Sequence, residues 1–202
     1  MQDLHKALGD IRNIRRQVAR STDFQGYGPA TVAGTGIIGI LAAVVQRFVL
    51  LYPANRLTEY LTVWLSAAFL AATLAGAQMY TRSRRIHSGM SNEMMLTAVE
   101  QFLPSVGAST IITAVLLYKV PASLWMLPGI WQFIFGLGIF SSCRFLPRPM
   151  LAAGLWYFLT GLICLALGDI RALSPWAMGI PFGIGQLLVA AILFNAARED
   201  AK

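Results

Sequence analysis

Residues 96–118 read LTAVEQFLPSVGASTIITAVLLY, and the fold turns on how this stretch is understood. Its apolar residues follow one another without the alternation a barrel strand needs. A helix rises about 1.5 Å per residue, so this length covers the roughly 30 Å hydrocarbon core of a bilayer. In lipid the backbone must satisfy its own hydrogen bonds, which a helix does within one segment. The stretch carries a single carboxylate, Glu100, followed by Gln101 and by Pro104.

Working outward, five more apolar runs of similar length appear. The expected spans are 29–52, 60–80, 96–118, 124–143, 150–167 and 175–195. The chain of 202 residues is 56% apolar and 12% charged, with a mean hydropathy of +0.61. A soluble domain is about a quarter charged, so this chain lacks the polar residues to cover a water-facing surface. The fold expected is all-α: a polytopic membrane bundle of six helices, residues 25–202, preceded by a basic amphipathic segment, residues 1–24.

In that segment Leu4, Ala7, Ile11, Ile14 and Val18 recur at helical spacing over residues 3–20, with Leu8 widening the stripe. Lys6, Arg12, Arg15, Arg16 and Arg20 form the opposite face. A basic amphipathic helix lies in the headgroup layer, which makes anionic lipid headgroups the expected partner. The same stripe also matches a short a/d seam, through which a protein partner or a second copy could pair. The formal charge of +7 sits beside spans and not in a separate basic domain, so nucleic acid is not expected. No short apolar region with a cleavage site precedes the first span, which is therefore expected to act as an uncleaved anchor.

Orientation follows from the basic residues. Twelve of the 16 Lys and Arg fall in the N-terminal segment, the second-to-third and fourth-to-fifth connections and the tail, against four on the other side. The positive-inside rule then places both termini in the cytoplasm, with the plasma (cytoplasmic) membrane as the expected location.

Several motifs carry less than they promise. Gly34-Thr35-Gly36-Ile37-Ile38-Gly39 matches G-x-G-x-x-G, but no strand precedes it and no βαβ unit follows. Ala30 with Gly34, and Gly39 with Ala43, instead have the four-residue spacing that lets helices approach closely. His5 and His87 lie outside the spans, so no histidine base or bis-histidine haem site is expected at depth. Gly107-Ala108-Ser109-Thr110-Ile111 lacks the second glycine of a nucleophile elbow. Ala166-Leu167-Gly168-Asp169 has no partner aspartate in another span, so Asp169 is expected to flank a helix end beside Arg171. Cys143 and Cys164 sit toward opposite faces and form no metal-ligand spacing. No catalytic, metal or cofactor site is expected.

Two sets of candidate residues remain. Glu100 lies about 28 Å along the helix from Lys119, near the inner edge of the hydrocarbon. It reads either as an ion pair with an arginine of a neighbouring connection or as a proton- or cation-responsive carboxylate beside Pro104. Nearer mid-depth stand Trp131 and Gln132, Trp156 and Tyr157, and Gln186. These read either as interhelical hydrogen-bonding groups or as an aromatic-and-amide pocket for a small neutral or amphiphilic ligand. Aligning Pro104 with Pro181 places Ala114–Leu117 over Ala191–Phe194 without a gap. That match raises the prospect of three spans repeated in inverted orientation, as in many transporters. The function expected is a non-catalytic sensory, regulatory or partner-binding membrane protein; a small transporter or channel is the alternative.

Overall fold

The computed structural model describes residues 28–50, 56–85, 89–143 and 146–199, with side chains described except at 82–85, 89–99 and 199. The expected amphipathic helix over 3–20, including Lys6, Arg12, Arg15, Arg16 and Arg20, lies outside these residues. Among the described residues six α-helices follow one another: α1 Pro29–Val49, α2 Leu57–Arg85, α3 Gly89–Lys119, α4 Leu127–Ser142, α5 Met150–Ala166 and α6 Pro175–Glu199. Among the described residues there are no strands.

Five segments are long and apolar enough to cross a membrane: α1, α2, the Glu100–Lys119 part of α3, Pro121–Ser142 and α6. This architecture is compatible with a multi-pass membrane protein. α5 has 17 residues, about 25 Å of helix, which is slightly short of a full crossing. α2 and α3, of 29 and 31 residues, are longer than a crossing requires and overshoot the expected spans where they approach each other.

The fourth span differs from expectation at its start. A 3-10 helix, Pro121–Met126, precedes the α-helix proper, which begins at Leu127. Pro121 and Pro128 both lack an N–H and sit in first turns, where no intrahelical donor is required. α5 stops at Gly168, whose φ of 69° is left-handed and suits glycine after a helix end. The next turn is a 3-10 helix, Ile170–Leu173, capped by Asp169.

The helices pack as a ring in chain order, closed by α1 against α6. The α1–α6 and α4–α5 contacts are the most extensive; α2 leans on α1 and α3 on α4, while α2 and α3 meet only sparsely. Close approach is possible because small residues face each other. A Cβ on Gly161 would lie 2.8 Å from the Gly129 carbonyl oxygen, and one on Gly136 would lie 3.1 Å from that of Gly154. The expected small pair Gly39 and Ala43 faces α6, whereas Ala30 is exposed and Gly34 faces Leu74 of α2.

The end of the ring carrying Arg85, Ser142, Met150 and Arg198 is called the basic end below, and that carrying the two 3-10 helices the far end. The core has two parts. One gathers Ala43, Tyr60, Trp64, Leu127, Leu173 and Met178 toward the far end. The other gathers Val32, Ile139, Met150, Tyr157, Ala190 and Leu193 toward the basic end.

Candidate functional site

The polar side chains at depth converge on α6. A regular α-helix would give the Ala177 carbonyl an N–H from residue 181, but that residue is Pro181 and has none. Gln132 of α4, fully buried, supplies the missing donor: its Nε2 donates to the Ala177 oxygen at 2.8 Å. The same amide lies 3.7 Å from the Met178 sulfur. On the other side of the interruption, Trp156 Nε1 donates to the Pro181 carbonyl at 2.9 Å. α4 and α5 thus each place one donor on the carbonyls around the proline.

Tyr157 is buried beneath Gly185 of α6 and belongs to an aromatic cluster. Its ring centroid is 4.8 Å from Phe135 and 5.2 Å from Phe182, and Phe135 in turn meets Phe102 of α3 at 5.3 Å. The Tyr157 hydroxyl lies near Gln186 but makes no hydrogen bond of good geometry to it. Gln186 is half-buried over Gly36 of α1. Trp131 turns away from this group, because consecutive helical residues point about 100° apart. Its Nε1 donates to Thr113 Oγ1 of α3 at 2.9 Å, and Thr113 donates to the Ser109 carbonyl. Of the five expected residues, Gln132, Trp156 and Tyr157 therefore face α6, Gln186 lies on α6 itself and faces Gly36 of α1, and Trp131 faces α3.

Glu100 lies elsewhere. It is exposed on α3, outside the ring, and forms no ion pair with any described residue. Arg148 is also exposed and without an ion pair among the described residues. The side chains of Arg82, Arg84, Arg85 and Arg144 are not among those described.

A second polar junction, toward the far end, did not stand out in the sequence. Gln46 is fully buried; its Nε2 donates to the Leu173 carbonyl at 2.7 Å, and its Oε1 accepts from Trp64 Nε1 at 2.7 Å. One side chain of α1 thereby joins α2 to the connection ahead of α6. Trp64 is only 4% exposed and packs in the far-end core. In sequence Gln46 is a polar residue at the end of an apolar run, directly before Arg47.

Four buried side-chain oxygens have no hydrogen-bond partner among the described residues: those of Tyr60, Gln101, Gln132 (Oε1) and Tyr157. Among the described residues there is also no cluster of His, Cys, Asp or Glu that could hold a metal ion. At the far end, Asp169 accepts from the Arg171 backbone N–H at 2.8 Å and from its guanidinium Nε at 2.8 Å. These bonds, the guanidinium first, hold the Asp169 carboxyl below the ordinary carboxylate range.

Comparison with protein-family models, with curated proteins and with solved structures finds no match to this chain.

Proposed function

We propose that the chain is a non-catalytic multi-pass membrane protein with a sensory, regulatory or partner-binding role, lying in the plasma membrane with both termini cytoplasmic. The observation that carries this reading is where the buried donors go. Gln132, Trp156 and Gln46 all donate to backbone carbonyls of other elements, and Trp131 and Trp64 donate to side chains of neighbouring helices. A binding site for a polar substrate keeps such groups convergent and free. Here they are consumed in holding the ring together. The basic side suits anionic headgroups, and the amphipathic sequence pattern of residues 3–20 suits lipid or a protein partner.

Transport is the second reading, favoured by a specific observation. The unpartnered oxygens of Gln132 and Tyr157 lie beside the proline- and glycine-bearing part of α6. In a transporter, such a group faces a cavity that opens to water. The two readings differ in accessibility. In a protein whose native Cys143 and Cys164 are replaced by Ser and Ala, Gln186→Cys is expected to resist a membrane-impermeant maleimide applied from either side. Rapid labelling from one face would support transport instead.

A further inference from the structure

We infer that the ring is fitted to a hydrocarbon layer of about 25–28 Å, thinner than the average core of about 30 Å, and that its lipid-facing surface therefore selects phospholipids with short acyl chains. The inference rests on the multi-pass reading above and names the lipid that surrounds such a chain. Three helices give the same length independently. α5 has 17 residues, about 25 Å. Its exposed side chains, among them Leu151, Leu155, Leu159, Leu162 and Ile163, are all apolar. Exposed charges bound them at both ends, Arg148 on one side and the Asp169–Arg171 pair on the other. On α3, Glu100 and Lys119 are both exposed and stand about 28 Å apart along the axis. On α6 the exposed apolar side chains run from Trp176 to Phe194, about 27 Å, and Arg198 lies over the Phe194 ring.

Neither tilt nor side-chain reach removes the mismatch. Tilt only shortens the projection of a helix on the membrane normal. Lys119 and Arg148 can extend outward from their backbones, as long cations do, but the carboxylates of Glu100 and Asp169 are too short for that. Arg171 is held inward as well: its Nε donates to Asp169 at 2.8 Å and its guanidinium to the Leu167 carbonyl at 3.4 Å. The far-end boundary of α5 therefore lies close to its last turn. The greater length of α2 and α3 as whole helices does not conflict with this. A long helix can project past the hydrocarbon, whereas a short one cannot stretch to fill it. Long acyl chains must compress around α3 and α5; short chains meet the same boundaries relaxed, which is the basis of the selection.

The test is thermal melting of the full-length protein in vesicles of monounsaturated phosphatidylcholines whose cores are about 27 Å or about 33 Å thick. Wild-type protein is expected to melt about 2–4 °C higher in the thinner bilayer. Asp169→Leu combined with Arg171→Leu removes the far-end boundary and lets the apolar run of α5 continue through Ile170, so the difference should shrink. Gly76→Leu, which faces open space on α2, should keep it. The readout is a difference within each variant, so a uniform loss of stability does not disturb it. An equal or higher melting temperature in the thicker bilayer, or a double variant that keeps the full difference, overturns the inference. Should the double variant not fold, quenching of the wild-type protein decides. In mixed vesicles a brominated short-chain lipid should quench its tryptophans, the exposed Trp176 among them, more than a brominated long-chain lipid at the same mole fraction. Equal quenching overturns the inference. Failure of the underlying reading shows elsewhere: a reporter at the C-terminus reads topology and the maleimide experiment reads accessibility, whereas melting in the two bilayers reads thickness alone.

Discussion

At the scale of single residues, Gln132 and Pro181 form a functional pair: one repairs what the other removes. An unmet carbonyl in a protein interior costs about 1–3 kcal/mol. Gln132→Leu is therefore expected to destabilise the protein by about that amount. Combining it with Pro181→Ala should recover most of the loss, because the new N–H of residue 181 can donate to Ala177. Thermal unfolding of the two single variants and the double variant checks this; strictly additive losses would show that the two residues act independently. Gln46→Leu is a harsher change, since it leaves both the Leu173 carbonyl and the Trp64 indole without their bond. Asp169 gives a pH signature of opposite character. Its carboxyl is held below its ordinary range, so the Asp169–Arg171 contact is present at neutral pH and is lost only as pH falls through that lowered value. The conformation of the α5–α6 connection, followed by a probe at Ile170, should stay constant from neutrality down to about pH 4 and change below it. Asp169→Asn should remove that dependence. The sequence marked Gln132 and Asp169 as special because polar groups are rare in such runs. It could not show what they bond to, since that depends on which faces meet.

At the scale of elements, the helices were legible as apolar runs: each of the six described helices overlaps one of the six runs, and five segments are long and apolar enough to cross a membrane. Their faces were not legible. Helices that are apolar all round give no periodic signal to say which side turns inward. The signal that does exist lies in the glycines: Gly129 and Gly136 on α4 are seven apart, as are Gly154 and Gly161 on α5, and they meet as Gly129 with Gly161 and Gly136 with Gly154. Gly161→Leu should separate α4 from α5 and cost about 1–3 kcal/mol, the usual penalty for overpacking. Gly76→Leu, at a position on α2 with nothing within 4 Å, should be nearly neutral. Equal losses of melting temperature for the two variants would mean that the α4–α5 seam is not the tight one. The 3-10 start ahead of α4 was missed for a different reason. Pro121 and Pro128 both signal a helix beginning, and nothing in the sequence alone says which of them opens the α-helix.

At the scale of the whole molecule, the ring closes through α1 and α6 and is loosest between α2 and α3. A ring in chain order maps onto itself after a shift of three helices whatever its history, so this arrangement does not speak for an inverted repeat. The two prolines the repeat would equate have different surroundings: Pro104 is exposed on α3, whereas Pro181 is buried in α6. Orientation remains a matter of charge. A reporter fused after Lys202 that is active only in the cytoplasm should be active, and an active periplasmic or external reporter there would reverse the assignment. The central claim is that the buried polar side chains hold helices to one another and do not line a wet site. Hydrogen exchange at the tryptophan indoles tests it most directly. In the lipid-embedded protein, the N–H groups of Trp64 and Trp156 should exchange only as slowly as the core backbone of α1 and α6. Exchange of the Trp156 indole that is much faster than that backbone would place water beside Pro181 and contradict the account.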